Sequence, residues 1–168
     1  YYRDRLLDFE HPIPKIQTLM EKLCPEGVKQ TSIQTVALSI TSGGTPQSGN
    51  IDFYNGNIPW LRTQDINWNE IYDTSAHISQ KGLNNCSASY IPENCVIVAM
   101  YGATAAKVAI NKIALTTNQA CCNIQVNPKV CLYKFLFYYL SSCYLNIKSL
   151  GQGTQSNLNS KMIKNYRI

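Results

Sequence analysis

Ile91-Pro92-Glu93-Asn94-Cys95-Val96-Ile97-Val98-Ala99-Met100-Tyr101-Gly102-Ala103-Thr104-Ala105-Ala106-Lys107-Val108-Ala109-Ile110 is the stretch whose reading decides the fold. Its apolar runs, Cys95–Tyr101 and Lys107–Ile110, are short, rich in β-branched residues and bounded by Pro, Asn or Gly, which reads as two strands. Tyr101-Gly102-Ala103-Thr104 links them. Val36–Ile40, Ile58–Leu61 and Ala120–Val126 have the same character. Ser79–Cys86 suits a short helix. Leu132–Ile147 suits a long one, with Leu132, Phe135, Leu136, Tyr139, Leu140 and Cys143 at three-and-four spacing. An aromatic stripe of this kind belongs to core packing more readily than to a base-stacking platform. The expected fold is α+β: a single globular domain in which a short-stranded twisted sheet carries a long packed helix.

Upstream of that body the pattern changes. Tyr2, Leu6 and Phe9 fall at i, i+4 and i+7, and Pro12 and Pro14 end the run. Lys15–Leu23 repeats the periodicity with Ile16, Leu19, Met20 and Leu23, up to Pro25-Glu26-Gly27. Two helical pieces about a proline hinge read as a stalk, with the globular body beginning near Val28. The chain opens at Tyr1 without Met or a signal sequence, which reads as a piece cut from something longer. A helix of about nine residues is marginal alone. The Tyr2, Leu6 and Phe9 stripe is therefore expected to bind a partner helix or a second copy of itself.

Charge divides the chain. After Glu93 there is no Asp or Glu, yet Lys107, Lys112, Lys129, Lys134, Lys148, Lys161, Lys164 and Arg167 follow; residues 1–93 hold seven basic and ten acidic residues. Such segregation predicts a surface field that attracts a polyanion. With 168 residues, 45% hydrophobic and only 15% charged, the chain is no disordered basic tail.

Catalytic constellations are missing from the pattern. A metal-dependent nuclease needs clustered carboxylates, and the nearest set in the body is Asp65, Glu70 and Asp73 on a polar loop. His11 and His77 have no partner of recognisable spacing. Gly151-Gln152-Gly153 lacks the third glycine and the preceding strand of a nucleotide cradle. Asn127-Pro128-Lys129 lacks the aromatic that a base-flipping amino-methyltransferase places after Asn-Pro. No catalytic residue, metal or cofactor is expected. Seven scattered cysteines without a C-x-x-C pair suit reduced thiols and a cytoplasmic protein. No apolar run has membrane-spanning length, so no membrane partner is expected.

Three polar segments contain glycine: Ser42–Pro46, Tyr101–Thr104 and Gly151–Asn157. Gly permits close approach of backbone to a ligand, and Thr, Gln and Asn bond base edges; the same segments also serve as plain turns.

Six motifs in order, SGGTP (42–46), NGNIPWLRTQDI (55–66), QKGLNNCSA (80–88), IPENCVIVAMYGATAAKVAI (91–110), TTNQACCNI (116–124) and GQGTQSNLN (151–159), resemble a target recognition domain of the specificity subunits of Type I restriction-modification systems. YYRDRLLDF (1–9) and KIQTLMEKLCPEGV (15–28) resemble the end of the family's conserved spacer helix and the approach to a recognition domain. The resemblance implies that residues 1–24 are spacer helix and hinge. Residues 25–168 are then a reader of one half of a bipartite duplex DNA target, lacking its C-terminal helix. It implies methyltransferase and restriction subunits as partners, which carry the catalysis. The common GATIGK pattern has Ile and Gly where this chain has Ala105 and Ala106, so the backbone there is expected to differ. Lys107 and Arg62 are then the main candidate DNA contacts, with Tyr101, Thr104, Gln152, Thr154 and Gln155 as lesser ones. Tyr2, Leu6 and Phe9 are the candidate partner contacts. Two other readings remain open: a recognition fragment of a fused restriction-methylation enzyme, and a less specific nucleic-acid or protein-binding module.

Overall fold

Val96, Ile97, Val98 and Ala99 are all 0% exposed, so the strand they form is covered on both faces. That is why its sequence is an unbroken apolar run and not an alternating one. The computed structural model describes Thr18, residues 21–151 and residues 157–168. The stalk stripe of Tyr2, Leu6 and Phe9 lies outside the described residues. Two units are distinct, residues 1–30 and Thr31–Ile168. In the first, residues 21–23 are helical, and the Gly27 amide donates to the Cys24 carbonyl (2.8 Å) with Gly27 at φ +74°.

The elements of the second unit run α1 (Ile33–Val36), β1 (Ala37–Ser42), β2 (Ile58–Leu61), β3 (Asn69–Ile71), β4 (His77–Ile78), α2 (Gln80–Asn84), β5 (Val96–Ala99), β6 (Val108–Asn111), β7 (Thr116–Thr117), β8 (Cys121–Val126), α3 (Tyr133–Ser142), α4 (Tyr144–Leu150) and α5 (Ser160–Asn165). A five-stranded sheet has the order β1-β8-β5-β6-β3, and a three-stranded one has β4-β2-β7. β5 pairs antiparallel with β6 and β8, whereas β3 joins β6 in parallel. Val96, Val98, Val108, Ile110, Cys122 and Ile124 face Leu136, Phe137, Leu140, Ile147 and Ile163 of the three C-terminal helices. On the opposite face Ile97, Ala99, Ala109 and Cys121 meet Leu61, Ile66, Ile71, Ile91 and Leu115. Each fully buried Val, Ile or Leu contributes about 1.5–3 kcal/mol, so the two cores together hold the sheet from both sides.

The α+β architecture and its principal strands match the expectation. Three details differ. The long helix expected over Leu132–Ile147 is two helices, because Cys143 leaves the helical region (φ −91°, ψ 14°). The preceding Ser141 and Ser142 hydroxyls donate back to the Phe137 and Tyr139 carbonyls (2.8 Å each), the kind of competition that bends a helix. The buried line of α3 runs through Leu136, Phe137 and Leu140, while Leu132 and Phe135 are exposed. The stripe is thus one position round from the expected one, since the sheet and not the helix's own spacing selects the covered face. Val36 closes a helical turn and β1 begins at Ala37. The strands β3, β4 and β7 have two or three residues each, too few to show a period, and exist through their pairing.

The segment Ser42–Pro46 is built for packing. A β-carbon on Gly43 would lie 1.8 Å from the Thr117 carbonyl oxygen. Gly44 donates to that same carbonyl (3.0 Å), and its own carbonyl accepts from the Trp60 indole (3.0 Å). Thr45 donates to the Gln119 side chain. These contacts tie the end of β1 to both β2 and β7.

At Ala106, where the resemblance expects glycine, the backbone takes φ +70°, the region that favours glycine, with the residue fully buried. The left-handed conformation costs an L-residue roughly 1–2 kcal/mol, partly offset by burying the methyl, about 0.8 kcal/mol. Ala106→Val should lower stability by about 2–4 kcal/mol, from added strain and overpacking. Ala106→Gly should change it by less than about 1 kcal/mol, since strain relief is set against a lost methyl and a freer unfolded chain. Urea unfolding midpoints of both variants check this; equal midpoints would contradict the assigned backbone.

Candidate nucleic-acid interface

Leu61 ends β2 inside the core, so the next residue, Arg62, emerges at a fixed point. The Asp65 carboxylate accepts the Arg62 amide (3.1 Å), and the Asp65 amide donates to the Arg62 carbonyl (2.9 Å), closing a 3-10 turn over Thr63–Asp65. Asn69 then closes the following residues. Its Oδ1 accepts the Asn67 amide (2.8 Å), and its Nδ2 donates to the Asp65 carbonyl (3.3 Å). Between them Trp68 is forced to φ +53° and stands 41% exposed.

A second loop, the turn between β5 and β6, lies alongside. Gly102 supplies φ +77°, and the Ala105 amide returns to the Gly102 carbonyl (3.1 Å). The Thr104 hydroxyl donates to the Thr63 carbonyl (2.8 Å), and the Lys107 ammonium donates to Asn67 Oδ1 (2.8 Å). The same ammonium sits 4.5 Å from the Trp68 ring centroid, a favourable cation–π arrangement. Tyr144 of α4 also packs against Trp68 in a T-shaped arrangement (centroids 5.3 Å apart, 77° between planes). Lys148 donates to the Tyr144 hydroxyl (3.0 Å).

Of the residues singled out by sequence, the structure brings Thr104 and Lys107 into contact with the loop that follows Arg62. Tyr101 opens the turn and is 37% exposed. Arg62 donates through Nη2 to Ser75 Oγ (3.1 Å), and its buried Nε meets no partner among the described residues. Gln152, Thr154 and Gln155 lie outside the described residues. The flanking Leu158 amide donates to the Met100 carbonyl (3.2 Å), beside Tyr101. Asn67, Trp68, Tyr144 and Lys148 were not foreseen. The available signal was Asn67-Trp68-Asn69, a large aromatic between two polar residues in a loop.

Chemically this surface offers what binding needs: hydrogen-bond donors, cations and aromatic rings. Lys107 and Lys148 flank Trp68 and Tyr144, and Asp65, the nearby acid, is committed to a backbone amide. His77 and Asp73 form an isolated pair (3.4 Å). Among the described residues no group of three or more His, Cys, Asp or Glu could hold a metal, and no helix is long and apolar enough to cross a membrane. Burial pushes the Cys95 and Cys122 thiols up to about 12 and raises that of Cys121 strongly as well, so none is a thiolate nucleophile near neutral pH.

Residues 25–168 match the family model described as Type I restriction modification DNA specificity domain. The chain is similar to the specificity subunit of the Type I restriction enzyme MjaIX from Methanocaldococcus jannaschii, 32% identical over 104 residues, covering 60% of this chain and 23% of that protein. It is also similar to the specificity subunit of the Type I restriction enzyme HindI from Haemophilus influenzae, 24% identical over 143 residues, covering 80% and 29%. The chain thus spans less than a third of either curated relative. In fold it is similar to a crystallised Type I restriction-modification S subunit from M. genitalium (TM-score 0.60, 11% identity, 83% of this chain and 33% of that one). The HsdS subunit from Thermoanaerobacter tengcongensis is similar too (TM-score 0.62, 15% identity, 98% and 42%).

The Thr104 hydroxyl and the Lys107 ammonium each link the two loops directly. Thr104→Val, close in shape, should cost about 1 kcal/mol by leaving the Thr63 carbonyl without its donor. Amide exchange of the residues of both loops should rise together, measured by hydrogen exchange; a rise confined to one loop would mean that they are not joined.

Proposed function

The chain belongs to the Type I restriction-modification DNA specificity family, and from that premise we propose that it reads one half of a bipartite duplex DNA target. In this reading it is a non-catalytic recognition domain that directs the methyltransferase and restriction subunits of the same system. The observation that carries the reading is the joined pair of loops. Arg62 is far in sequence from the turn that carries Thr104 and Lys107, yet hydrogen bonds join that turn to the loop that follows Arg62. A reader of base edges needs that arrangement, because contacts spaced a few ångströms apart must keep their spacing to discriminate. The acid-free sequence after Glu93 supplies the long-range attraction to phosphate.

The stalk supports a second contact. The spacing of Tyr2, Leu6 and Phe9 suits helix pairing, either with the subunits that the stalk docks or with another copy of the chain. The cytoplasmic assignment rests on seven cysteines without a disulfide.

The purified chain should bind duplex DNA with strong salt dependence. Neutralising about four to six phosphates gives a slope of log K against log[salt] of roughly −4 to −5. A selected duplex should compete better than random duplex or RNA, and the chain alone should neither cleave nor methylate DNA with Mg²⁺ and S-adenosylmethionine. Salt-independent binding, or turnover, would overturn the reading. Arg62→Ala and Lys107→Ala should each weaken binding; if neither does, DNA meets another face. For the stalk, Leu6→Asp with Phe9→Asp should abolish self-association in sedimentation while leaving DNA affinity largely intact.

A further inference from the structure

The Lys107 ammonium and the Asn67 carboxamide beside Trp68 together offer mainly donors. An ammonium has three N–H donors and no acceptor. Because Lys107 donates to Asn67, the carboxamide must turn its oxygen towards the ammonium. The opposite orientation would set donor against donor. Asparagine ordinarily reads adenine by donating to N7 and accepting from N6. Asn67, on the exposed loop, has one lone pair of its oxygen engaged with Lys107, and the ammonium crowds the other, so its two Nδ2 hydrogens are what it offers most freely to a ligand. The Lys107 ammonium adds its further hydrogens beside them.

Lys107 is also held more firmly than a lysine that merely neutralises phosphate needs to be. A phosphate is served by a mobile point charge. Here Asn67 and the Trp68 ring fix the ammonium from two sides. Trp68 itself is kept at φ +53°, a conformation unfavourable for a bulky residue, by the two Asn69 side-chain bonds and by its T-shaped contact with Tyr144. Strain of this kind persists only where the surroundings impose it. It serves orientation.

We propose that Asn67 and Lys107 form a reader dominated by donors that takes guanine through its N7 and O6 in the major groove, with Trp68 as the residue that positions Lys107. This rests on the proposed function, since it needs duplex DNA at this surface. Guanine follows from the chemistry of the groove edges. It presents two adjacent acceptors, whereas adenine pairs an acceptor with a donor, thymine offers one acceptor beside a methyl group, and cytosine a donor.

The test is selection from a pool of random duplexes by the wild-type chain and by Asn67→Ala, Lys107→Ala and Trp68→Leu, with sequencing of the bound fraction. The wild type should enrich a motif containing guanine. Asn67→Ala and Lys107→Ala should relax one guanine position by roughly 5- to 150-fold, the range of a two-bond contact, with the other positions kept. Trp68→Leu should relax the same position, an effect that a general loss of folding does not produce. Replacing that guanine by 7-deazaguanine should weaken the wild type and leave unaffected whichever of the Asn67 and Lys107 variants has lost the donor to N7. If Lys107→Ala instead weakens all sequences alike and lowers the salt slope by about one, the contact is to phosphate and this inference fails while the function stands. Relaxation at a base other than guanine overturns it too. A wild-type pool without any motif overturns the function and the inference together.

Discussion

Val96 and Val98 face the C-terminal helices while Ile97 and Ala99 face Leu61, Ile66 and Leu115, and every other feature of the body hangs on that two-sided burial. A strand covered on both faces cannot slip by one residue without exchanging its two cores. Its register with Ile110, Ala109 and Val108 is therefore set. The turn between β5 and β6 must then reverse within the residues from Met100 to Lys107, and β2 must end where Leu61 enters the same core. The two polar loops inherit their relative position from apolar packing beneath them.

Backbone strain gathers where those loops meet. Ala106 (φ +70°) precedes Lys107 directly, and Trp68 (φ +53°) lies under its ammonium. The third such residue, Asn94 (φ +65°), sits in the turn before β5, with its side chain accepting from Lys112 (2.7 Å). Among the described residues, two of the three non-glycine positions with positive φ thus lie directly at one lysine. Ala106 aims the start of β6, and Trp68 supplies the platform on which its side chain comes to rest.

Electrostatics act over a longer range than this packing. The sequence after Glu93 contributes Lys107 and Lys148 to the surface, and the acidic half contributes Arg62 together with Asp65. The Asp65 charge does not simply cancel its neighbours, because it is spent closing the turn that presents Arg62. A basic field acts over a longer distance than the short-range hydrogen bonds that the pinned side chains can make.

Strands at Ile58–Leu61, Cys95–Tyr101 and Ala120–Val126, the α+β class, the segregated charge and the likeness to a recognition domain were legible in the sequence by itself. Each rests on local composition or on the order of motifs. Lys107 and Arg62 were legible as basic residues next to strand ends. Only the tertiary structure decided that Thr104 bonds to Thr63 and Lys107 to Asn67, 41 and 40 residues away. It alone decided that the helix after Leu132 breaks at Cys143 and buries Phe137 instead of Phe135. Periodicity records which residues are apolar at a given spacing, but the face a helix buries and the loop that a side chain meets depend on surfaces supplied from elsewhere in the chain. Trp68 has no readable role until Lys107 is folded over it.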